Sequence, residues 1–108
     1  MHDKVDANQP EIVEKIRAIG FIVQPLNAVK HGCPDILVGG RGVNWLFEIK
    51  PEGQSRRLTK DEREWLDAWP GQAAIIETFE DACRIMGVSD DLWRPEWREL
   101  YLKMQEAS

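Results

Sequence analysis

The sequence has few cysteines and no long hydrophobic run. Its two cysteines, Cys33 and Cys83, are too few for a disulfide framework, and no second pair accompanies them to complete a structural zinc site. No apolar stretch approaches the roughly 20 residues that a membrane helix needs. The N-terminal segment MHDKVDANQPE is polar and lacks the apolar centre of a signal peptide. We therefore expect no membrane partner and, by default, a cytoplasmic location.

An overall excess of positive charge is also missing. The net charge of −5 and the pI near 5.0 argue against a protein that coats nucleic acid. The central segment 30–63 differs, because it has seven basic residues against five acidic ones, a net charge of +2. A locally basic centre on an acidic chain is a hint of an anionic ligand. An ordinary solvated charged surface explains the same distribution equally well.

Composition and pattern describe a small folded domain. The chain has 108 residues, 43% of them hydrophobic and 31% charged, which predicts one domain, residues 1–108, with a modest core. Periodicity and turn residues predict the order helix, three strands, helix, strand and two helices, and hence an α/β fold with a mixed sheet flanked by helices. The predicted helices cover 6–21, 58–71, 79–87 and a C-terminal extension at about 90–106, and the predicted strands cover 21–26, 35–39, 43–50 and 72–78.

Capping and turn signals mark the ends of these elements. Asn8 with Glu11, and Thr59 with Glu62, have the spacing of a capping box at a helix N-terminus. The glycines of the GGRG segment, 39–42, are predicted to supply the positive φ angles of a tight hairpin turn. The polar segment PEGQSRR, which follows the third strand, predicts a flexible connection.

Three charged residues stand on two strongly apolar strands. Glu48 and Lys50 are two positions apart, so their side chains share one side of a strand, with Cα atoms roughly 6–7 Å apart, while Ile49 points into the core. Asp35 opens the preceding strand of the hairpin. Antiparallel pairing would bring Asp35 beside Glu48 and Lys50 at one exposed rim of the sheet.

Two carboxylates and an ammonium form a set that suits metal-assisted hydrolysis of a phosphodiester. Mg²⁺ takes hard oxygen ligands and is often held by one or two carboxylates plus a substrate phosphate. A metal polarises the phosphoryl oxygen and acidifies bound water, and a lysine can orient that water or offset developing charge. The alternative is a surface ion pair between Glu48 and Lys50 with a turn-forming Asp35.

The motif resembles that of a known nuclease superfamily. CPD, residues 33–35, is followed after twelve residues by EIK, residues 48–50, and this resembles the signature of the PD-(D/E)XK superfamily. With NQPEIVEKIRAIGF, RRLTKDEREWLDAWPG and AAIIET in order, the wider pattern is similar to the small stand-alone VRR-NUC branch of phages and prophages. The resemblance covers roughly residues 8–86 and implies a restriction-endonuclease-like core with an extra C-terminal helix.

The resemblance also implies roles for particular residues. Asp35 and Glu48 would hold Mg²⁺ or Mn²⁺ with the backbone carbonyl of Ile49, and Lys50 would be the catalytic lysine. The acidic residue that such families place on the first helix best matches Glu11, which is equally well explained by capping. Glu14 is the second candidate for that role. Many relatives have a glutamine at the position of Glu62, so a functional role for Glu62 is an open possibility beside its capping role.

The resemblance implies that the chain is an endonuclease and that DNA is its substrate. The stand-alone members of the family are homodimers that act on branched DNA such as four-way junctions, and the resemblance implies the same for this chain. A flap or end-processing nuclease, and a catalytically idle DNA-binding phage factor that retains the fold, are the alternatives. His31 lies near the PD dipeptide and could contact a phosphate or the metal-bound water, but a loop histidine without chemistry is the favoured interpretation. The residues predicted to contact DNA are Arg56, Arg57, Lys60, Arg63, Lys30 and His31.

Tryptophans recur at helical spacing in the second half of the chain. Trp65 with Trp69, and Trp93 with Trp97, are i,i+4 pairs, which favours core or subunit contacts over base stacking. The apolar residues of the C-terminal segment either form a subunit interface or cover the sheet of their own chain. These residues are Leu92, Trp93, Trp97, Leu100 and Tyr101.

Overall fold

A computed structural model describes residues 6–93 and 96–107 of the chain. The order of elements agrees with the predicted α-β-β-β-α-β-α-α, with a short 3₁₀ turn added before the last helix. The helices are α1 (Gln9–Ala18), α2 (Lys60–Ala68), α3 (Phe79–Met86) and α4 (Trp97–Ala107), the strands are β1 (Ile22–Pro25), β2 (Ile36–Gly40), β3 (Val43–Ile49) and β4 (Ala73–Ile76), and the 3₁₀ turn is Asp90–Leu92.

The strands form one four-stranded mixed sheet in the order β1-β2-β3-β4. β1 pairs antiparallel with β2, and β2 pairs antiparallel with β3, whereas β3 and β4 are parallel. α2 provides the long crossover that a parallel connection requires. The predicted mixed α/β architecture with flanking helices is therefore confirmed.

One face of the sheet carries the core. Alternate residues of β3, namely Trp45, Phe47 and Ile49, are buried and lie on the same face as Ile36 and Val38 of β2. α1 and α3 cover this face with apolar side chains spaced three and four residues apart. The helical residues of this core cluster are Ile12, Val13, Ile16, Phe79, Ala82, Cys83 and Met86.

The β2–β3 hairpin differs in detail from the prediction. Gly40 pairs with Val43, so the turn consists of Arg41 (φ 55°) and Gly42 (φ 78°), the two left-handed residues of a tight turn. Gly40 instead belongs to the strand, where a Cβ would overlap the ring of Phe21. Arginine thus supplies one of the positive φ angles that the sequence assigned to glycine.

Of the two predicted capping boxes, one is confirmed and one is wrong. At α2, Thr59 accepts a hydrogen bond from the Glu62 N–H, and the Glu62 carboxylate accepts one from the Thr59 N–H. At α1, the Asn8 side chain forms no cap. Its Nδ2 donates instead to the carbonyl of Lys50 at 3.1 Å and to that of Glu77 at 2.9 Å, because these strand ends lie within reach.

The C-terminal segment is less continuous than predicted. Asp90–Leu92 forms a separate 3₁₀ turn, and α4 begins only at Trp97. Trp93 packs against the core of its own chain, whereas the side chains of Trp97, Leu100 and Tyr101, and Pro95, lie outside the described residues. A role of α4 in a subunit interface stays a prediction. No helix within 6–93 and 96–107 is long and apolar enough to cross a membrane.

Candidate active site

Asp35 lies at the entrance to β2, opposite the end of β3. Ile36 pairs with Phe47, so the next step of this register sets Asp35 against Glu48. The Asp35 N–H donates to the Phe47 carbonyl at 3.0 Å. Its carboxylate accepts hydrogen bonds from the Ile49 N–H at 2.7 Å and from Asn27 Nδ2 at 3.1 Å. The predicted convergence of Asp35 with the end of β3 is therefore observed.

A chain of amides supports Asp35 from α1. Gln9 is buried in the first turn of the helix and exchanges hydrogen bonds with Asn27, in which Gln9 Nε2 donates at 2.9 Å and Asn27 Nδ2 donates at 3.3 Å. The sequence-based prediction missed both residues. A signal was present for Gln9, because it lies on the same helical face as the core residues Ile12 and Ile16.

Glu48, Lys50 and Glu62 form an ion-pair cluster beside Asp35. Lys50 Nζ lies 2.8 Å from Glu62 Oε1 and 3.5 Å from Glu48 Oε2. Glu48 is only 3% exposed, so the expectation of an exposed rim is wrong for this carboxyl group. The first turn of α2 lies beside the end of β3, where Glu62 contacts Lys50. A carboxyl group at such depth requires a partner.

Glu62 has two roles in this arrangement. The same Oε1 atom accepts from the Thr59 N–H at 2.8 Å and from Lys50 Nζ at 2.8 Å. Capping and contact with the candidate catalytic lysine are therefore compatible. The capping box fixes the direction of the Glu62 side chain, and Glu62 in turn holds the Lys50 ammonium near Glu48.

The loop before Asp35 contacts the same turn of α2. Three successive residues are left-handed, Lys30 (φ 66°), His31 (φ 57°) and Gly32 (φ 84°). A Cβ on Gly32 would overlap the backbone carbonyl of Asp61, so only glycine permits this approach. The loop thereby brings the N-terminus of α2 to the candidate site.

Burial and charge shift the ionisation of the two carboxyl groups in the motif. Burial, with the nearby Asp35 and Glu62, raises the pKa of Glu48 to about 9. Burial also raises the pKa of Asp35, where the charges of Asp6 and Glu62 add to the effect and the Ile49 N–H opposes it. The cluster therefore holds a proton on Glu48 at neutral pH in the absence of a cation.

The pKa shifts of Lys50 and Glu62, in contrast, favour the charged form of each group. Burial alone would lower the pKa of Lys50, but the hydrogen bond to Glu62 and the charge of Glu48 outweigh it and raise the pKa. Burial alone would raise the pKa of Glu62, but hydrogen bonds from Lys50 and the Thr59 N–H outweigh it and lower the pKa. Lys50 and Glu62 are therefore a charged pair at neutral pH.

The donor set fits a hard divalent cation. The site contains three carboxyl groups, Asp35, Glu48 and Glu62, and one ammonium, so full ionisation would leave two uncompensated negative charges. Within the described part of the chain, no three His, Cys, Asp or Glu side chains already enclose a cation position. Mg²⁺ needs only one or two carboxylates from a protein, and a cation would compensate the excess charge.

The two acidic residues predicted on the first helix differ in exposure. Glu11 is exposed and pairs with Lys15 at 3.0 Å, and it lines a groove of about 450 Å³ with Pro51 and Glu77. Glu14 is half-buried on the same helix. The acidic residue from this region that influences Asp35 is Asp6, which precedes α1. The roles predicted for Glu11 and Glu14 stay predictions.

The predicted DNA-contacting residues form part of the surface near α2. Arg56, Arg57 and Arg63 are exposed and form no ion pair with any residue of 6–93 and 96–107. Lys60 is exposed 3.8 Å from Glu64, and His31 is exposed in the left-handed loop. Lys60 and Arg63 lie in the first turn of α2, the turn that also contributes Glu62.

Comparison with known proteins returns no relative. No protein-family model, no curated protein and no solved structure matches the chain.

Proposed function

We propose that the chain is a metal-dependent DNA endonuclease of the PD-(D/E)XK type, with a restriction-endonuclease-like core. The observation that carries the proposal is the cluster in which Asp35 lies against the Glu48–Lys50 end of β3. Ion pairs on a protein surface contribute little to stability, and they form without burial of their charges. Glu48, only 3% exposed beside two further carboxyl groups, is costly for the fold, and such groups concentrate at functional sites.

Asp35 and Glu48 would hold Mg²⁺ or Mn²⁺. The Ile49 N–H points to Asp35, and in an extended strand the N–H and C=O of one residue leave on the same edge, which puts the Ile49 carbonyl on that side too. Bound there, the cation would polarise a phosphoryl oxygen and make water more acidic. Asn27 and Gln9 keep the Asp35 carboxylate in position for this role.

Lys50 would act on the reacting phosphate or water. Its ammonium is charged and is held by Glu62 at 2.8 Å, so it needs no reorganisation when charge develops in the transition state. Glu48 is the more distant partner, at 3.5 Å. If Glu48 serves a cation, Glu62 still retains Lys50 over the site.

The substrate proposed is branched DNA, such as a four-way junction, bound by a homodimer. Arg56, Arg57 and Arg63, which form no ion pair with another described residue, would supply charge for phosphates beside α2 together with Lys60. A chain of this size has little surface for gripping a duplex by itself, and a twofold dimer would present two sites to two strands.

Cleavage assays test the proposal. Purified protein, incubated with Mg²⁺, Mn²⁺ or EDTA and end-labelled duplex, flap and four-way DNA, should cut in the presence of metal and favour four-way DNA. Asp35→Asn and Glu48→Gln, prepared identically, should lose at least about a thousandfold in rate, which excludes a contaminating nuclease. Both variants should keep the wild-type circular dichroism spectrum.

Other outcomes select the alternatives. Preference for single-stranded flaps or ends would assign an end-processing nuclease. DNA binding without metal-dependent cleavage would assign an idle DNA-binding factor. Cleavage by Asp35→Asn at the wild-type rate would end the assignment of this site.

A further inference from the structure

The connection between β3 and α2 is an ordered loop rather than the flexible segment that its sequence predicted. Gln54 N–H donates to the Pro51 carbonyl and Arg57 N–H to the Gln54 carbonyl, both at 2.9 Å, so two consecutive turns follow β3. One carboxylate holds these turns. Glu77 accepts hydrogen bonds from the Gly53 N–H at 2.8 Å, from the Ser55 N–H at 3.0 Å and from the Ser55 hydroxyl.

Glu77 is itself fixed to the end of the strand that bears the candidate site. It follows β4, which runs parallel to β3 with Ile49 opposite Ile76. Lys50 N–H donates to the Ile76 carbonyl at 2.9 Å, and the Asn8 side chain bridges the carbonyls of Lys50 and Glu77. Hydrogen bonds between the ends of β3 and β4 therefore join Glu77, which anchors the loop, to the candidate catalytic lysine.

The anchored loop presents positive charge. Arg56 and Arg57 follow directly after Ser55, are exposed, and have no acidic partner among the described residues. Hydrogen bonds from Ser55 and the Gly53 N–H lower the pKa of Glu77, so it is a carboxylate at neutral pH. Its charge is directed at backbone amides and a hydroxyl, and the arginines remain available for an anion.

We propose that Glu77 is a positioning residue for DNA, which fixes the 51–58 loop so that Arg56 and Arg57 meet the phosphate backbone next to the scissile bond. This inference rests on the proposed function. Without Glu77, the loop would have to be ordered at the moment of binding, and this ordering would weaken affinity. Glu77 makes no contact with the reacting atoms, so the chemical step would be spared.

The sign of the effect separates positioning from simple charge. Removing a carboxylate near bound DNA reduces repulsion and should strengthen binding if only charge matters. The proposal requires the opposite for Glu77→Ala. Glu80→Ala is the matched control, because Glu80 is an exposed glutamate on the neighbouring turn and is not bonded to the loop.

The experiment combines DNA cleavage kinetics with amide hydrogen exchange of the metal-free protein. Glu77→Ala should raise KM about threefold to tenfold and change kcat less than twofold, and Glu80→Ala should leave KM unchanged or lower. In Glu77→Ala, the Gly53 and Ser55 amides should lose protection while those of β3 keep it. Glu77→Gln and Ser55→Ala, which each keep part of the bonding, should fall between wild type and Glu77→Ala.

The failures are distinguishable. A wild-type protein that cleaves DNA, with KM unchanged or lower in Glu77→Ala, overturns this inference and leaves the proposed function intact. Protection at Gly53 and Ser55 that survives in Glu77→Ala also overturns it. A wild-type protein that neither binds nor cleaves DNA overturns both. If Glu77→Ala fails to fold, the same comparison in Glu77→Gln and Ser55→Ala decides, and KM at the wild-type value in both would overturn the inference.

Discussion

On one face of the sheet, Phe47 and Ile49 of β3 are completely buried beneath α1 and α3, whereas on the other face Glu48 of the same strand meets Lys50 and α2. The helices on the two faces also differ in how many of their residues are buried. α3 buries four residues, but α2 has no residue that is fully buried. We call the first the core face and the second the site face.

The difference lies in what holds each face in place. Apolar burial contributes about 25 cal/mol per Å² and tolerates small changes in geometry, so it can stabilise the core face without particular polar contacts. The site face depends on a few contacts, chiefly Glu62 with Lys50 and Gly32 against Asp61. Such contacts contribute less to stability, but they fix the positions of charged groups to within a hydrogen-bond length.

The largest effect should come from the core face. Phe47→Ala removes a side chain with no exposed surface and should lower the free energy of unfolding by about 3–5 kcal/mol. Leu37→Ala on the half-buried site face of β2 should lower it by about 1–2 kcal/mol. Urea denaturation of both variants checks this. Similar losses would mean that the two faces contribute equally to stability.

Lys50→Ala should separate chemistry from metal binding. Its proposed role is in the transition state, so cleavage should fall about a hundredfold to ten-thousandfold with little change in metal affinity. Isothermal titration with Mn²⁺ and single-turnover cleavage measure the two quantities. Metal affinity that falls as steeply as the rate would make Lys50 an organiser of the site instead.

Gly32→Ala should displace α2 from the site. The substitution strains a left-handed residue and overlaps the Asp61 carbonyl, so about 2–4 kcal/mol of stability should be lost, with most of the cleavage activity. Gly42→Ala is the matched control, because φ is 78° there and the space around its Cβ is open. It should cost about 1–2 kcal/mol and leave the rate unchanged. Equal losses of stability and rate in the two variants would remove the role of the Gly32 contact.

Much of the core face could be predicted from sequence, and part of the site face could not. Alternation of side chains across β3 predicted that Ile49 points into the core, and hydrophobic periodicity predicted α1, because both are local consequences of backbone geometry. The convergence of Asp35 with Glu48 also followed from local rules, since a short hairpin fixes the register.

The missed features depend on contacts between distant segments. Asn8 has the sequence of a cap but bonds to strand ends 42 and 69 residues away, and Glu77 orders a loop that precedes it by more than twenty residues. The contact of Glu62 with Lys50 likewise joins α2 to the end of β3, and local spacing does not encode it. Tertiary structure decides which of several polar partners such side chains choose.

The pH dependence of stability should report the strain of the site face. The pKa of Glu48 rises from 4.5 to about 9 on folding, so between these values the folded state keeps a proton that the unfolded state has released. The free energy of unfolding in EDTA should therefore fall as pH rises from 6 to 8, by at most about 1.4 kcal/mol per pH unit. The raised pKa of Asp35 has the same sign.

Urea denaturation at pH 6, 7 and 8 measures this slope. Glu48→Gln lacks the titrating group and should flatten it, and at pH 8 the variant should be at least as stable as the wild type. A slope that Glu48→Gln leaves unchanged would place the titration elsewhere.

The smallest effect gives the sharpest comparison of the two faces, because α2 and α3 begin with the same capping box. Thr59 accepts from the Glu62 N–H at 3.1 Å, and Thr78 accepts from the Asp81 N–H at 3.0 Å. Loss of such a cap costs about 1 kcal/mol of helix stability. Thr78→Ala should lower the global free energy of unfolding by that amount, because α3 unfolds only with the core. Thr59→Ala should lower it by a similar amount, because its cap is also formed in the native state, so the two helices differ instead in whether they can open without the core.

Hydrogen exchange distinguishes the two helices. In Thr59→Ala the α2 amides should exchange about fivefold faster through local opening, equivalent to about 1 kcal/mol. In Thr78→Ala the amides of α3 and β3 should lose protection together, whereas the α2 amides should keep theirs, because local opening of α2 leaves the α3 cap intact. The Thr59 N–H, which Glu62 uses, survives in alanine, so cleavage should slow less than threefold. Loss of protection at the α2 amides in Thr78→Ala would show that α2 unfolds only with the core, and the distinction between the two faces would then fail.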